Sequence, residues 1–122
     1  VFQFKNDKIF TLLCEEAKKS EFENHKHASC ICHKGRVLAL ETNQKKSHTI
    51  QKRFSTSEKK VWLHSEIACI IRVVNLYGVE ILKDCELYNI RLTKALKVGN
   101  SKPCDGCAKA IEAFGIGKVF YT

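Results

Sequence analysis

The stretch VWLHSEIACIIRVVNLYG, residues 61–78, decides how this chain is read. From His64 to Tyr77 its apolar residues Ile67, Ile70, Ile71 and Val74 recur at helical spacing, and Gly78 suits a helix stop. Such a stripe has to be packed against something. Yet His64 and Glu66 stand at its start, with only Ser65 between them, inside a run otherwise fit for burial. On a regular helix, residues two apart diverge by about 200°. His64 and Glu66 can therefore face one point only if His64 lies in the capping turn.

Working outward, Asp7 can cap a helix through Lys19, with Phe10, Leu13, Cys14 and Ala17 on one face. HASCICH (27–33) and RVLALETN (36–43) read as strands joined by a tight hairpin at Lys34-Gly35. Residues 43–60 form a polar, basic connection without clear period. CELYNIRL (85–92) is a third strand, and residues 93–102 a loop. A further helix opens at Pro103-Cys104 and ends at Gly115, with Cys107, Ala110, Ile111 and Phe114 on one face. KVFYT closes the chain as a last strand, parallel to the third because a helix joins them. The order α-β-β-α-β-α-β predicts one α/β domain over residues 1–122, with helices against a single sheet.

Length and composition fit that reading: 122 residues, 44% hydrophobic and 28% charged. No apolar run is long enough to cross a bilayer, so no membrane partner is expected. No signal-peptide pattern opens the chain, and the seven cysteines are an odd number. A disulfide framework is therefore not expected, and a reducing, cytoplasmic compartment is. Lys and Arg exceed Asp and Glu by 21 to 13, a net +8 that favours anionic partners, free nucleotides and nucleic acid included. A soluble surface rich in lysine accounts for the same charge.

Cys104 and Cys107 lie three apart at a helix start, so both sulfurs leave the first turn in one direction. The helix N-terminus favours anions and helps supply the thiolates that a metal takes. Two facing helix starts would give one nitrogen, from His64, and two sulfurs. That makes three ligands for Zn2+ with a fourth position open to water, the pattern of a catalytic site. Glu66 would then move protons. A structural zinc clip completed by another cysteine is the rival reading of the same residues.

The pattern H-x-E followed by P-C-x-x-C stands here as HSE (64–66) and PCDGC (103–107). The chain resembles the zinc-dependent cytidine/deoxycytidylate deaminase superfamily, over nearly its whole length. Its compact form, with SHTIQKRF ahead of HSE, resembles deaminase-like proteins of bacteriophages, which would act in a host cytoplasm. The resemblance implies a three-layer α-β-α sandwich with a mixed sheet of about four strands. It implies His64, Cys104 and Cys107 as zinc ligands and Glu66 as the proton carrier. Asn43 matches an asparagine that often holds the sugar. The implied reaction is hydrolytic deamination of a nucleobase, foremost cytosine to uracil in a free nucleoside or nucleotide, with release of ammonia. A deaminase of single-stranded DNA or RNA is the second reading. A zinc-stapled nucleic-acid-binding module is the third, although it has no use for Glu66. Ala68 stands where deoxycytidylate deaminases commonly carry asparagine. Gly106 stands where tRNA adenosine deaminases usually carry a bulky apolar residue, and His64 where homotetrameric cytidine deaminases use cysteine. Reaction type is thus implied more sharply than substrate, and homo-oligomerisation is left open.

The remaining candidates are substrate contacts: Ser65 within the motif, His48 in the segment entering the site, and Lys52 and Arg53 for phosphate. The last two belong to a basic group with Lys45, Lys46, Lys59 and Lys60, offset only by Glu58, that reads either as a phosphate rim or as a solvated loop. Trp62 reads as a base-stacking residue or as core. Cys30 and Cys32, on one face of a strand, read as core or as a thiol pair with Cys69 or Cys85.

Overall fold

The computed structural model describes residues 7–55 and 61–122. Its elements are α1 (Asp7–Ala17), β1 (Lys26–His33), β2 (Arg36–Thr42), α2 (Thr49–Phe54), α3 (Ser65–Tyr77), β3 (Cys85–Leu92), β4 (Val98–Gly99), α4 (Asp105–Ala113) and β5 (Lys118–Tyr121). A 3₁₀ turn, Glu80–Asp84, leads into β3.

The β1–β2 hairpin turns through Lys34 (φ 50°) and Gly35 (φ 79°). Both are left-handed, as a two-residue turn that matches strand twist requires, and glycine takes the second position without steric cost. β1 pairs antiparallel with both β2 and β3, while β5 runs parallel to β3. The short β4 folds back on the end of β3 at Arg91 and Leu92. The mixed sheet therefore has five strands, one more than expected. β4 is the addition, and its two residues are too few to show a period.

Strand alternation divides the core. Ala28, Cys30, Cys32, Tyr88, Ile90 and Leu92 pack against Leu13 and Ala17 of α1. Ile31, Leu87 and Cys85 pack on the other face, with Ile67, Ile70 and Cys69 of α3 and Cys107 and Ile111 of α4. This is the α-β-α sandwich, with α1 alone on one side. Cys30 and Cys32 lie 3.9 Å apart, sulfur to sulfur, among the α1 contacts. Cys69 and Cys85 are on the opposite face, so the thiol pairs imagined from sequence do not form. α2 lies within the expected 43–60 connection and packs against α4.

Candidate metal centre and active-site cavity

His64 is the N-cap of α3, in extended backbone (φ −79°, ψ 152°), as the facing of His64 and Glu66 demanded. Its side chain makes no capping bond, which leaves the imidazole free to turn toward α4. Cys104 is the N-cap of α4, and its sulfur accepts the Cys107 N–H at 3.4 Å. His64 Nδ1 lies 3.2 Å from Cys107 Sγ and 3.6 Å from Cys104 Sγ, and the three ligand atoms fall within 4.8 Å of one another. Zinc–ligand lengths of about 2.0–2.3 Å in a tetrahedron place such donors about 3.6 Å apart. The triangle therefore fits zinc in both spacing and donor chemistry.

Electrostatics favour a thiolate at Cys104. The Cys104 thiol is held down to about 3, first by its hydrogen bond with Cys107 and then by the one with His64. Cys107, fully buried, is pushed up by its bond to Cys104 and by desolvation. The same Cys104 contact raises His64.

Glu66, in the first turn of α3, is 4% exposed. Burial raises its carboxyl above the ordinary range. Among the described residues no ion pair holds it. Ser65 Oγ lies 3.2 Å from Oε1 and Asn89 Nδ2 donates to Oε2 at 3.3 Å, while the nearby His64 partly offsets the effect of burial.

Above the triangle lies a cavity of about 420 Å³, with Phe22 and Trp62 in its wall and Lys102 at its edge. Glu66, His64 and Cys104 line it, as do Asn43, His25 and His27. Trp62, 38% exposed, is thus a wall residue rather than core. Burial lowers His27 to about 4, so it stands neutral. Leu63, a lining residue, is held by backbone pairing: Gln44 N–H donates to Leu63 O at 3.0 Å, and Leu63 N–H to Lys46 O at 2.9 Å.

The tentative contacts fall in different places. Asn43 lines the cavity, but its Oδ1 accepts from Ser20 Oγ and His27 N, and its Nδ2 donates to the His25 carbonyl at 2.7 Å. One amide N–H remains for a ligand. Ser65 is fully buried and bonded to Ser29 Oγ at 2.7 Å. His48 caps α2, its Nδ1 accepting the Ile50 N–H at 3.1 Å, and lines a different groove beside Glu41 and Arg72. Lys52 and Arg53 lie exposed on α2 and are not among the described lining residues; Lys102 is the lysine that lines the cavity. Glu58, Lys59 and Lys60 lie outside the described residues.

Sequence reasoning passed over Gln51 and the packing role of Gly106. Gln51, 1% exposed, accepts the His64 N–H on Oε1 at 2.9 Å. A Cβ on Gly106 would meet the Phe54 carbonyl oxygen at 2.6 Å, so only glycine lets α2 lie on the cysteine loop. In the sequence Gln51 is one polar residue among many in its segment, and nothing marks it for burial.

Residues 4–122 match the family described as "Cytidine and deoxycytidylate deaminase zinc-binding region". No curated protein matches the sequence. Among solved structures, guanine deaminase from Bacillus subtilis superposes with a TM-score of 0.62 at 18% identity. The match covers 98% of this chain and 64% of that one, so this chain spans less than two thirds of its neighbour's length.

Proposed function

The chain belongs to the cytidine and deoxycytidylate deaminase family, as a zinc-binding deaminase domain, and we propose that it hydrolytically deaminates cytosine in a free nucleoside or nucleotide. The observation that carries this reading is Glu66: a buried carboxyl that lines a cavity of about 420 Å³ beside three residues whose donor atoms converge as a metal site would need. A structural zinc clip has no need of it.

His64, Cys104 and Cys107 would hold the zinc. When bound, zinc supplies the Lewis acidity that makes water a nucleophile at neutral pH. The chain's own part is proton transfer. Glu66, its carboxyl raised by burial, accepts the proton of the attacking water and delivers it to N3 of the ring as C4 gains oxygen. It then takes the remaining proton from the hydroxyl now on C4 and passes it to the exocyclic amine; the C4–N bond breaks and ammonia leaves, so that cytosine and water yield uracil and ammonia. Phe22 and Trp62 offer aromatic faces to the base and exclude water. Lys102 supplies a cation for a phosphate, and Asn43 one amide donor for the sugar.

A single-stranded DNA or RNA substrate is the second reading, favoured by the net charge of +8. The test is a panel of nucleosides, mononucleotides and short oligonucleotides, with guanine included because the Bacillus subtilis neighbour is named for it. Products are read by mass with the zinc-loaded protein and its Glu66→Gln variant. Deamination of free cytidine or its nucleotides, lost by about 10²-fold or more in Glu66→Gln, is the expected result. Turnover confined to guanine, or far faster on cytosine in an oligonucleotide, would overturn the proposed substrate.

A further inference from the structure

Ser29, Asn89 and Ser101 are at most 1% exposed, yet none belongs to the ligand triangle or contacts the cavity. Alternation explains their position. Ser29 shares the α3 face of the sheet with Ile31, and Asn89 with Leu87, while Cys30 and Tyr88 face α1. Ser29 and Asn89 are direct partners in the β1–β3 register, and they lie beneath Ser65 and Glu66 at the start of α3.

Every hydrogen-bonding group of the Asn89 amide is engaged. Nδ2 donates to the Ser101 carbonyl at 2.7 Å and to Glu66 Oε2 at 3.3 Å. Oδ1 accepts from Ser29 Oγ at 2.8 Å, with Ser65 Oγ at 3.4 Å. Ser101 Oγ in turn donates to the Asn89 backbone carbonyl at 2.8 Å. The amide cannot flip, because that would set its oxygen against the Ser101 carbonyl and the Glu66 carboxyl together. Ser101 precedes Cys104 by three residues. The clasp therefore fixes the Glu66 carboxyl relative to the strand that leads to the ligand loop.

We propose that Asn89, locked by Ser29 and Ser101, is the positioning residue that aims the Glu66 carboxyl into the cavity. The inference rests on the reading of Glu66 as the proton carrier. A reacting group displaced by about 1 Å loses about 10²-fold in rate. Asn89→Asp keeps the shape but replaces the donor facing Oε2 with an acceptor. Asn89→Leu removes the amide altogether. Ser29→Ala leaves Asn89 in place and takes away the hydroxyl that holds its oxygen.

The experiment measures zinc content, kcat and KM for these variants on the best substrate of the panel, and determines zinc-loaded crystal structures. Asn89→Asp and Asn89→Leu should lose about 10²-fold in kcat with KM within about 3-fold and zinc retained; Ser29→Ala should lose about 10-fold in the same way. In a Glu66→Gln background Asn89→Asp should cost less than about 3-fold more, since both changes remove one function. In the crystals the Glu66 carboxyl should be turned away from its wild-type place. Wild-type kcat in the folded Asn89 variants, or an unmoved Glu66 carboxyl, overturns the proposal. If neither Asn89 variant folds, unchanged kcat in Ser29→Ala overturns it. Should Glu66→Gln itself retain turnover, the proton role of Glu66 falls, while the crystal comparison still decides whether Asn89 places that carboxyl.

Discussion

Gln51→Leu is the sharpest test of how the metal ligand is held. At the N-cap of α3 the imidazole makes no capping bond, and the backbone N–H of His64 is satisfied by Gln51 Oε1 at 2.9 Å. Leucine fills similar space and offers no acceptor. The orphaned N–H would face the buried Gln51 position in a part-buried place, and an unsatisfied buried donor costs about 1–3 kcal/mol. Zinc binds only the native placement of His64, so much of that cost falls on metal affinity. At 1.4 kcal/mol per decade it corresponds to about 10–100-fold weaker zinc, the range typical of partners that orient a ligand. Competition of the purified protein against a chromophoric chelator measures this directly, with a thermal melt alongside to confirm folding. Gln51→Glu, which keeps an acceptor, should recover most of the loss. A folded Gln51→Leu protein whose zinc affinity stays within about 3-fold of wild type would refute the reasoning.

Cys104→Ala and Cys107→Ala should each lose bound zinc, and full retention by both on metal analysis would remove the ligand assignment. Gly106→Ala drives a methyl to 2.6 Å from the Phe54 carbonyl. Overpacking of about 1–3 kcal/mol outweighs a helix gain of at most about 1 kcal/mol, so Tm should fall by a few degrees; a rise would show that α2 yields freely. On a mononucleotide, log affinity should fall gently with log salt. An oligonucleotide slope of about −0.7 per phosphate, summed over several contacts, would instead mark a strand-binding surface.

Most of the fold could be read because its main elements are long and periodic. The stripe from Ile67 to Val74, the Lys34-Gly35 turn and the alternation in β1 each announce one structure at short range. α2 escaped because TIQKRF is six residues with Ile50 and Phe54 as its apolar contacts, too short for a period to rise above a polar background. Its boundary matters, since α2 carries Gln51 and presses on Gly106.

The cluster of His64, Cys104 and Cys107, the proposed zinc ligands, was legible for a different reason. Zinc accepts few side chains, and two of them at one helix start with a third at another leave little freedom of interpretation. The groups that hold the site obey no such restriction. Serine, asparagine and glutamine occur everywhere on protein surfaces, and Ser29, Gln51, Asn89 and Ser101 come from separate segments that only the folded sheet brings together. A signal was nonetheless present. In CELYNIRL, Asn89 has the same parity as Cys85 and Leu87, and in HASCICH, Ser29 has the parity of Ile31. A polar residue at a core position of a strand must find partners or cost stability. Two of them, aligned on neighbouring strands and facing the helix that opens with HSE, bond one another and reach on to Ser101 and Glu66. Strand parity, taken before function, would have placed that pair on the sheet face that carries α3 and Glu66.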